Sequence, residues 1–223
     1  MDLEALSVTL RLAALTTAIL LVVAIPLAYW IVSTRSRLRA AVEAVTTLPI
    51  LLPPTVLGFY LLVLLGQRTA FGRLWIDLTG HTLAFSFTGL VIGSAIYSLP
   101  FAVQPIVAGF SAVEPTLIEQ ARLLGASRWR ILRSVLVPLS TRSLAAAALL
   151  CFTHTVGEFG VVLMVGGDIP GATRTLSIAI YDQVQDFAYA DANRTSLLLV
   201  AIAVTALILL YSRRGAESGA RHD

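Results

Sequence analysis

Residues 6–32 read LSVTLRLAALTTAILLVVAIPLAYWIV, and this run decides which folds are open to the chain. It holds one charged residue, Arg11, and exceeds the roughly 20 apolar residues that a helix needs to cross a bilayer. Four further stretches of this kind follow at residues 41–65, 83–107, 139–165 and 197–211, the last starting as early as residue 192. The sequence therefore predicts an all-α, polytopic membrane helix bundle with about five spanning helices.

The composition of the whole chain agrees with this prediction. Of the 223 residues, 57% are hydrophobic and 13% are charged, and the mean hydropathy is +0.84. Soluble proteins carry about 25% charged residues, and a soluble domain of this size could not bury so much apolar surface. We expect lipid to be the solvent over much of the surface, and residues 1–223 to form a single transmembrane domain.

The basic residues limit the chemistry that the chain can perform. All 16 are arginines, whereas a P-loop needs a lysine for nucleotide phosphates and a Schiff-base enzyme needs one for its imine. We therefore expect no enzyme and no cofactor bound by this chain, so that any ATP and Mg²⁺ are bound by a partner. No nucleic-acid partner is expected, because the arginines are spread between hydrophobic runs. The single cysteine, Cys151, is expected to serve packing alone.

The distribution of arginine also predicts the orientation in the membrane, because cytoplasmic loops are enriched in basic residues. Alternate connections hold eleven arginines against five. The richer set is Arg35, Arg37, Arg39, Arg122, Arg128, Arg130, Arg133, Arg142, Arg213, Arg214 and Arg221, and the poorer set is Arg11, Arg68, Arg73, Arg174 and Arg194. We expect the N-terminus outside, the C-terminus in the cytoplasm, and residues 108–138 on the cytoplasmic side.

The long connection at residues 111–138 is predicted to form two short helices. Pro115 can open the first helix, where its missing N–H is not needed. Gly125 can adopt the left-handed conformation that ends a helix, and Ser127 can cap the next one. Pro138 is expected to open the fourth spanning helix. In the second short helix Trp129, Leu132 and Leu136 are expected to share one apolar stripe.

This connection resembles the EAA loop of ABC importer permeases, in which Glu-Ala-Ala is followed at fixed spacing by Gly and then by Ile-x-Leu-Pro. Glu119, Gln120 and Ala121 stand at the first three places and Gly125 at the glycine, although Gln120 replaces an alanine. Val135, Val137 and Pro138 stand at the last places, with valines as the aliphatic residues. The alternative is an amphipathic helix lying on the membrane surface.

The resemblance implies a role in coupling to an ATPase. In that family the loop docks on a nucleotide-binding subunit and carries its closure into the membrane. A rigid two-helix lever suits this task, since a flexible loop would absorb the displacement. The residues to which the resemblance gives this role are Glu119, Gln120, Ala121, Gly125, Ala126, Ser127, Arg128 and Pro138.

Two segments are candidates for a translocation pathway or gate. Pro53 and Pro54, together with Pro49, interrupt the second apolar stretch and free carbonyl groups that cannot face lipid. A kink that only shapes the bundle is the alternative. In the fourth stretch Thr153, His154 and Gly157 accompany Glu158, a residue that is costly to bury when ionised.

Three interpretations of Glu158 are open from the sequence: a gate residue, a partner in an internal ion pair, or a hydrated group near the outer interface. Catalysis by His154 and Glu158 is not expected, because no nucleophile or metal ligand accompanies them.

Residues 48–58, 157–160 and 169–181 resemble the molybdate-type branch of these permeases, with the sulfate and thiosulfate permeases as close relatives. The resemblance implies a homodimer in a bacterial or archaeal inner membrane, two ATPase subunits inside, and a binding protein that delivers a tetrahedral oxyanion, most plainly molybdate, from outside. Tungstate is a further alternative. A secondary transporter would need ionisable relays in several helices and commonly an inverted repeat, and neither is seen.

Overall fold

The computed structural model describes the backbone of residues 2–215 and the side chains of residues 2–208. Every regular element in this part of the chain is helical. Arg213 and Arg214, used above for orientation, lie beyond the described side chains, and Arg221 lies outside the described residues. The elements are α1 Leu3–Ser33, α2 Leu38–Leu51, α3 Pro54–Leu65, α4 Ala70–Thr79, α5 Phe87–Ser111, α6 Pro115–Leu123, α7 Arg128–Ile131, a π-helical turn Leu132–Leu136, α8 Val137–Leu139, α9 Thr141–Gly157, α10 Gly160–Gly166, α11 Leu176–Gln185 and α12 Tyr189–Gly215.

Three helices of the described chain are long and apolar enough to span a bilayer unaided: Leu3–Ser33, Phe87–Ser111 and Tyr189–Ile208. Two bent pairs raise the number to five if each pair makes one span. The first pair is α2 with α3, which meet at 111°, and the second is Arg128–Leu139 with α9, which meet at 79°. The predicted membrane helix bundle is confirmed.

The fourth predicted stretch, residues 139–165, is not one helix, and this prediction was wrong in two places. Pro138 does not open the spanning helix: it lies within α8, and α9 begins at Thr141 after a sharp bend at Ser140. The stretch then breaks a second time at Glu158, between α9 and α10. Ser140 leaves the helical region with φ −111° and ψ 20°, which explains the first break.

Helices α1, α5 and α9 form the centre of the bundle. Small side chains at their contacts, such as Ala24, Ala102 and Ala147, are fully buried and let the helix backbones approach closely. Ile131, Leu132 and Leu136, which precede the bend at Ser140, belong to the same apolar cluster. The C-terminal part of the connection at residues 111–138 is therefore packed into the bundle.

One buried hydrogen bond joins the beginning of the chain to its last third. The Leu176 N–H, at the start of α11, donates to Thr9 Oγ1 on α1 at 2.9 Å, and the same hydroxyl donates to the Ala5 carbonyl at 2.8 Å. The first turn of α11 would otherwise have an unpaired buried donor. This contact fixes α11 against α1 and beside the break at Glu158.

Candidate functional site

The two-helix segment, residues 115–139, has a rigid turn at its centre. Gly125 adopts φ +78°, its N–H donates to the Arg122 carbonyl at 2.9 Å, and the Ala126 N–H donates to the Ala121 carbonyl at 2.9 Å. These two bonds form a Schellman motif that satisfies the last carbonyl groups of α6. Ser127 Oγ then accepts the Arg130 N–H at 3.3 Å and caps α7. The predicted turn at Gly125 and cap at Ser127 are confirmed, as is the opening of α6 at Pro115.

The tip of this segment exposes large apolar side chains. Leu123 is 88% exposed, Leu124 is 87% exposed and Trp129 is 64% exposed. The expected stripe of Trp129 with Leu132 and Leu136 is wrong, because the two leucines are buried in the bundle while Trp129 points away from it. The π-helical turn at Leu132–Leu136 changes the register of side chains, so a plain 3.6-residue period does not hold there.

The residues assigned to coupling divide between the surface and the base of this segment. Glu119, Gln120, Gly125, Ser127 and Arg128 are exposed. Ala121 and Ala126 are half-buried and pack toward the core cluster beneath, while Pro138 is exposed within α8. The segment thus has an inner face held by the bundle and an outer face, with the apolar tip, open to a partner.

A second feature is a cavity of about 540 Å³ that gathers most of the pathway candidates. Its lining comes from α3, α5, α9 and α10, and consists of Pro54, Thr55, Tyr97, Thr153, His154, Gly157, Glu158, Phe159 and Gly160. Pro53 is the exposed N-cap of α3 and is not among the lining residues. Four lining residues, Thr55, Tyr97, Phe159 and Gly160, are not among the candidates predicted from the sequence.

Two close backbone contacts hold the broken helices around the cavity. A Cβ at Gly160 would lie 2.7 Å from Pro54 Cβ, and one at Gly58 would lie 2.8 Å from Met164 Cβ. Both distances are shorter than real Cβ contacts allow. The α3 helix can therefore pack on α10 only because these positions are glycine, and the bend after Leu51 directs α3 onto that surface.

The His154 ring is fixed by its neighbours on α5. Its Nδ1 lies 2.9 Å from Ser98 Oγ, and its ring stacks on Phe101 with centroids 4.0 Å apart. Ser98 Oγ also lies 3.0 Å from Thr155 Oγ1. No group of three or more potential metal-ligating side chains occurs among the residues described. The arrangement orients an imidazole toward the cavity. Polar residues recurring along the apolar α5 were the signal that could have identified this helix as a wall of the cavity.

The Glu158 side chain is buried, whereas those of Thr153 and His154 on α9 are half-buried. It is 3% exposed, and neither carboxylate oxygen has a hydrogen-bond partner or an ion pair among the described residues. Its backbone carbonyl accepts a hydrogen bond from the Ser177 hydroxyl of α11. Three interpretations of Glu158 are open from the sequence, and one of them is an internal ion pair. The described residues place no cation beside the Glu158 carboxylate, so they do not support that interpretation.

Beyond the break, an ion-pair network fixes the turn between α10 and α11, and the sequence analysis did not find it. Arg174 Nη2 donates to Asp168 Oδ2 at 2.7 Å and to Asp182 Oδ2 at 3.2 Å, while Asp2 lies at 4.0 Å from Nη1. The hydrogen bond from Arg174 holds the pKa of Asp168 below its usual value. A hydrogen bond with Asp168, with burial and repulsion added, raises the pKa of Asp182 to about 6.

Comparison with known proteins identifies the family. Residues 20–213 match the model of the family described as binding-protein-dependent transport system inner membrane component. The molybdenum transport system permease protein ModB of Azotobacter vinelandii is 48% identical over 218 residues, which cover 98% of this chain and 96% of that protein. ModB of Escherichia coli K12 is 35% identical, covering 78% of this chain and 76% of that protein. The sulfate transport system permease protein CysT of the same strain is 31% identical, covering 78% and 61%.

Solved structures show the same fold. A bacterial ABC transporter that imports the acidic polysaccharide alginate superposes with a TM-score of 0.72 at 20% identity, covering 96% of this chain and 79% of that one. The crystal structure of a bacterial alginate ABC transporter in complex with its alginate-bound periplasmic protein gives a TM-score of 0.71, covering 94% and 75%. The chain belongs to the family of binding-protein-dependent transport system inner membrane components.

Proposed function

We propose that this chain is the membrane-spanning permease subunit of an ATP-driven importer of molybdate. The observation that carries the proposal is the identity of 48% with a molybdenum permease over 98% of the chain. The 31% identity with a sulfate permease makes sulfate the second candidate, on weaker support. In both cases a separate nucleotide-binding subunit binds ATP and Mg²⁺ and hydrolyses the ATP.

The two-helix segment is the contact with that subunit in this proposal. Its exposed apolar tip at Leu123, Leu124 and Trp129 has the character of an interface centre, where large apolar and aromatic residues are enriched. Its base is buried in the bundle at Ile131 and Leu132, so a push on the tip is carried inward. The arginine distribution supports a cytoplasmic location of the segment, with the N-terminus outside and the C-terminus inside.

The cavity is the part of the translocation path that this chain contributes. Its polar side-chain groups are hydroxyls, one imidazole and the Glu158 carboxyl, and no arginine is among its lining residues. Such a site binds a dianion weakly, so in this proposal an external binding protein selects the substrate.

A second copy of the chain completes the path in this proposal. Pro54 and Thr55 at the cavity edge are exposed, and α3 continues this edge with exposed apolar side chains, including Phe59, Tyr60, Val63 and Leu64. A homodimer would cover this face and enclose the cavity between the two copies. ATP-driven closure of the ATPase pair would then move both two-helix segments and open the path outward.

The test is reconstitution of the chain with its ATPase and binding protein in proteoliposomes. ATP-dependent uptake and substrate-stimulated ATP hydrolysis are measured with molybdate, tungstate and sulfate. The proposal expects molybdate to be taken up in preference to sulfate at equal concentration. Uptake of sulfate with none of molybdate would replace the first candidate by the second, and uptake without ATP would refute the importer altogether.

A further inference from the structure

The Glu158 carboxyl group is buried at the wall of the cavity, at the point where the spanning helix is broken. It is 3% exposed, and both of its oxygens lack hydrogen-bond partners among the described residues. The backbone at Glu158 is extended, with φ −68° and ψ 134°, so this residue lies between α9 and α10 as the C-cap of α9. The burial therefore depends on side-chain packing around the break.

None of the described residues that line the cavity beside this carboxyl carries a fixed positive charge. Among the residues lining the cavity, α5 contributes Tyr97, and α9 contributes His154, whose Nδ1 lies in hydrogen-bonding distance of Ser98. The α3 and α10 helices contribute no charged side chain to the lining, and α1, α11 and α12 contribute no residue to it. On α11, Tyr181 packs against Phe159 with ring centroids 5.2 Å apart. Ser94 of α5 faces the carboxyl, but outside hydrogen-bonding geometry.

The charge state follows from these surroundings. An ionised carboxylate that is buried in a membrane protein without a partner costs several kcal/mol, whereas a neutral acid costs much less. The conformation seen here is therefore compatible with a protonated Glu158. If water enters the cavity and reaches the carboxyl, that cost disappears and the proton can leave to water.

We infer that Glu158 is a proton-linked latch of the cavity. The carboxyl is protonated while the break between α9 and α10 is packed as described, and it is ionised when the cavity opens to water. The sign follows directly: the closed state binds one more proton per chain, so raising the pH favours the open state. This inference rests on the proposed function only in that the cavity belongs to the path, and it is independent of the cargo.

The test measures the access of water to the cavity as a function of pH. The complex with its ATPase subunit is held in lipid nanodiscs, with Cys151→Ala and a reporter Thr153→Cys at a half-buried position of the cavity lining. The rate of labelling by a charged maleimide is divided by the rate at Ser36→Cys, an exposed site between α1 and α2. This ratio removes the intrinsic effect of pH on thiol reactivity.

The latch predicts that the ratio rises with pH, by up to about tenfold per pH unit, because one proton per chain is released on opening. The rise should vanish in Glu158→Gln, which stays neutral at all pH values. It should persist in the matched control Glu43→Gln, which makes the same change at an exposed residue that pairs with Arg39 at 2.9 Å. A flat ratio in the native background, or a rise that survives Glu158→Gln, overturns the inference.

A second measurement keeps the native cysteine and needs no reporter. Infrared difference spectra of the wild-type complex against Glu158→Gln should contain the carbonyl stretch of a protonated carboxylic acid at neutral pH. If Glu158→Gln does not assemble, Glu158→Asp should shift the frequency of that band. A spectrum with only the ionised carboxylate overturns the inference. Neither measurement uses an oxyanion, so a failure of molybdate uptake refutes the proposed function separately.

Discussion

Replacing Gly125 by alanine tests whether the two-helix segment acts as a rigid lever. At φ +78°, a residue with a Cβ is strained, and the cost of a left-handed conformation is about 1–2 kcal/mol. No heavy atom lies within 4 Å of the added Cβ, so the effect is conformational and not a clash. A penalty of this size lowers the population of the correct turn roughly five- to thirtyfold. We expect Gly125→Ala to insert normally but to lose coupling between ATP hydrolysis and uptake.

The chain supplies a matched control at Gly80, which has φ +73° and open space around its Cβ, but lies at the end of α4 outside the two-helix segment. Gly80→Ala introduces the same backbone strain and should leave the number of oxyanions imported per ATP unchanged. Gly125→Asn should restore coupling, since asparagine tolerates the left-handed region. Equal coupling ratios in Gly125→Ala and Gly80→Ala, measured in proteoliposomes, would refute the lever.

Three further predictions address the tip, the cavity and the outer turn. Leu124→Asp places a charge on a side chain that is 87% exposed, so we expect unchanged thermal stability and weakened copurification of the ATPase subunit. Gly160→Val puts a side chain where Pro54 Cβ lies 2.7 Å from the ideal Cβ position, so α3 must move and uptake should fall while ATPase binding persists. Asp182→Asn removes a carboxylate whose folded pKa of about 6 exceeds the ordinary value of about 3.9. In the wild type, the protonated Asp182 carboxyl stabilises the fold below about pH 4, and this stabilisation is lost as the pH rises through about 6. The variant has no carboxyl to ionise there, so its stability should rise relative to that of the wild type over this interval.

Each of these predictions has its own control and contrary outcome. Arg122→Gln removes the charge of an exposed neighbour of the tip that has no assigned coupling role, and a copurification defect equal to that of Leu124→Asp would argue against an apolar interface. Gly157→Ala lines the same cavity but meets nothing within 4 Å, so an equal loss of uptake would show that packing on Pro54 is irrelevant. Asp191→Asn is the exposed control for Asp182→Asn, and a difference in thermal midpoint that does not change with pH would contradict the assigned cause.

Local chemistry predicted the turn of the two-helix segment correctly, because its determinants lie within a few residues of one another. The conformational freedom of Gly125 and the capping hydroxyl of Ser127 act over less than two helical turns. The same reasoning placed the interruption at Pro53 and Pro54 correctly, but it was wrong at Pro49, which lies inside α2 without ending it. It did not give the angle of 111° between α2 and α3.

The features that sequence reasoning missed depend on contacts between distant segments. Tyr97 joins the cavity only because α5 packs on α9, and Arg174 finds Asp2 only through the fold. The exposure of Trp129 was missed for another reason. Apolar periodicity indicates which side chains are favoured to be buried, but it does not indicate whether the chain's own core or another molecule buries them.

The hydrogen bond between Thr9 and Leu176 also bears on how the chain is made. The two residues are separated by 167 positions, so α11 can dock on α1 only after all the segments between them have been synthesised. At a synthesis rate of 5–20 residues per second, their synthesis takes about ten to thirty seconds. The bond from the Thr9 hydroxyl to the Ala5 carbonyl lies within α1 itself, so it can form before α11 is made and spare α1 an unpaired polar group in lipid. The helix that is inserted first thus gains one of its buried contacts late in synthesis, when only α12 remains to follow α11.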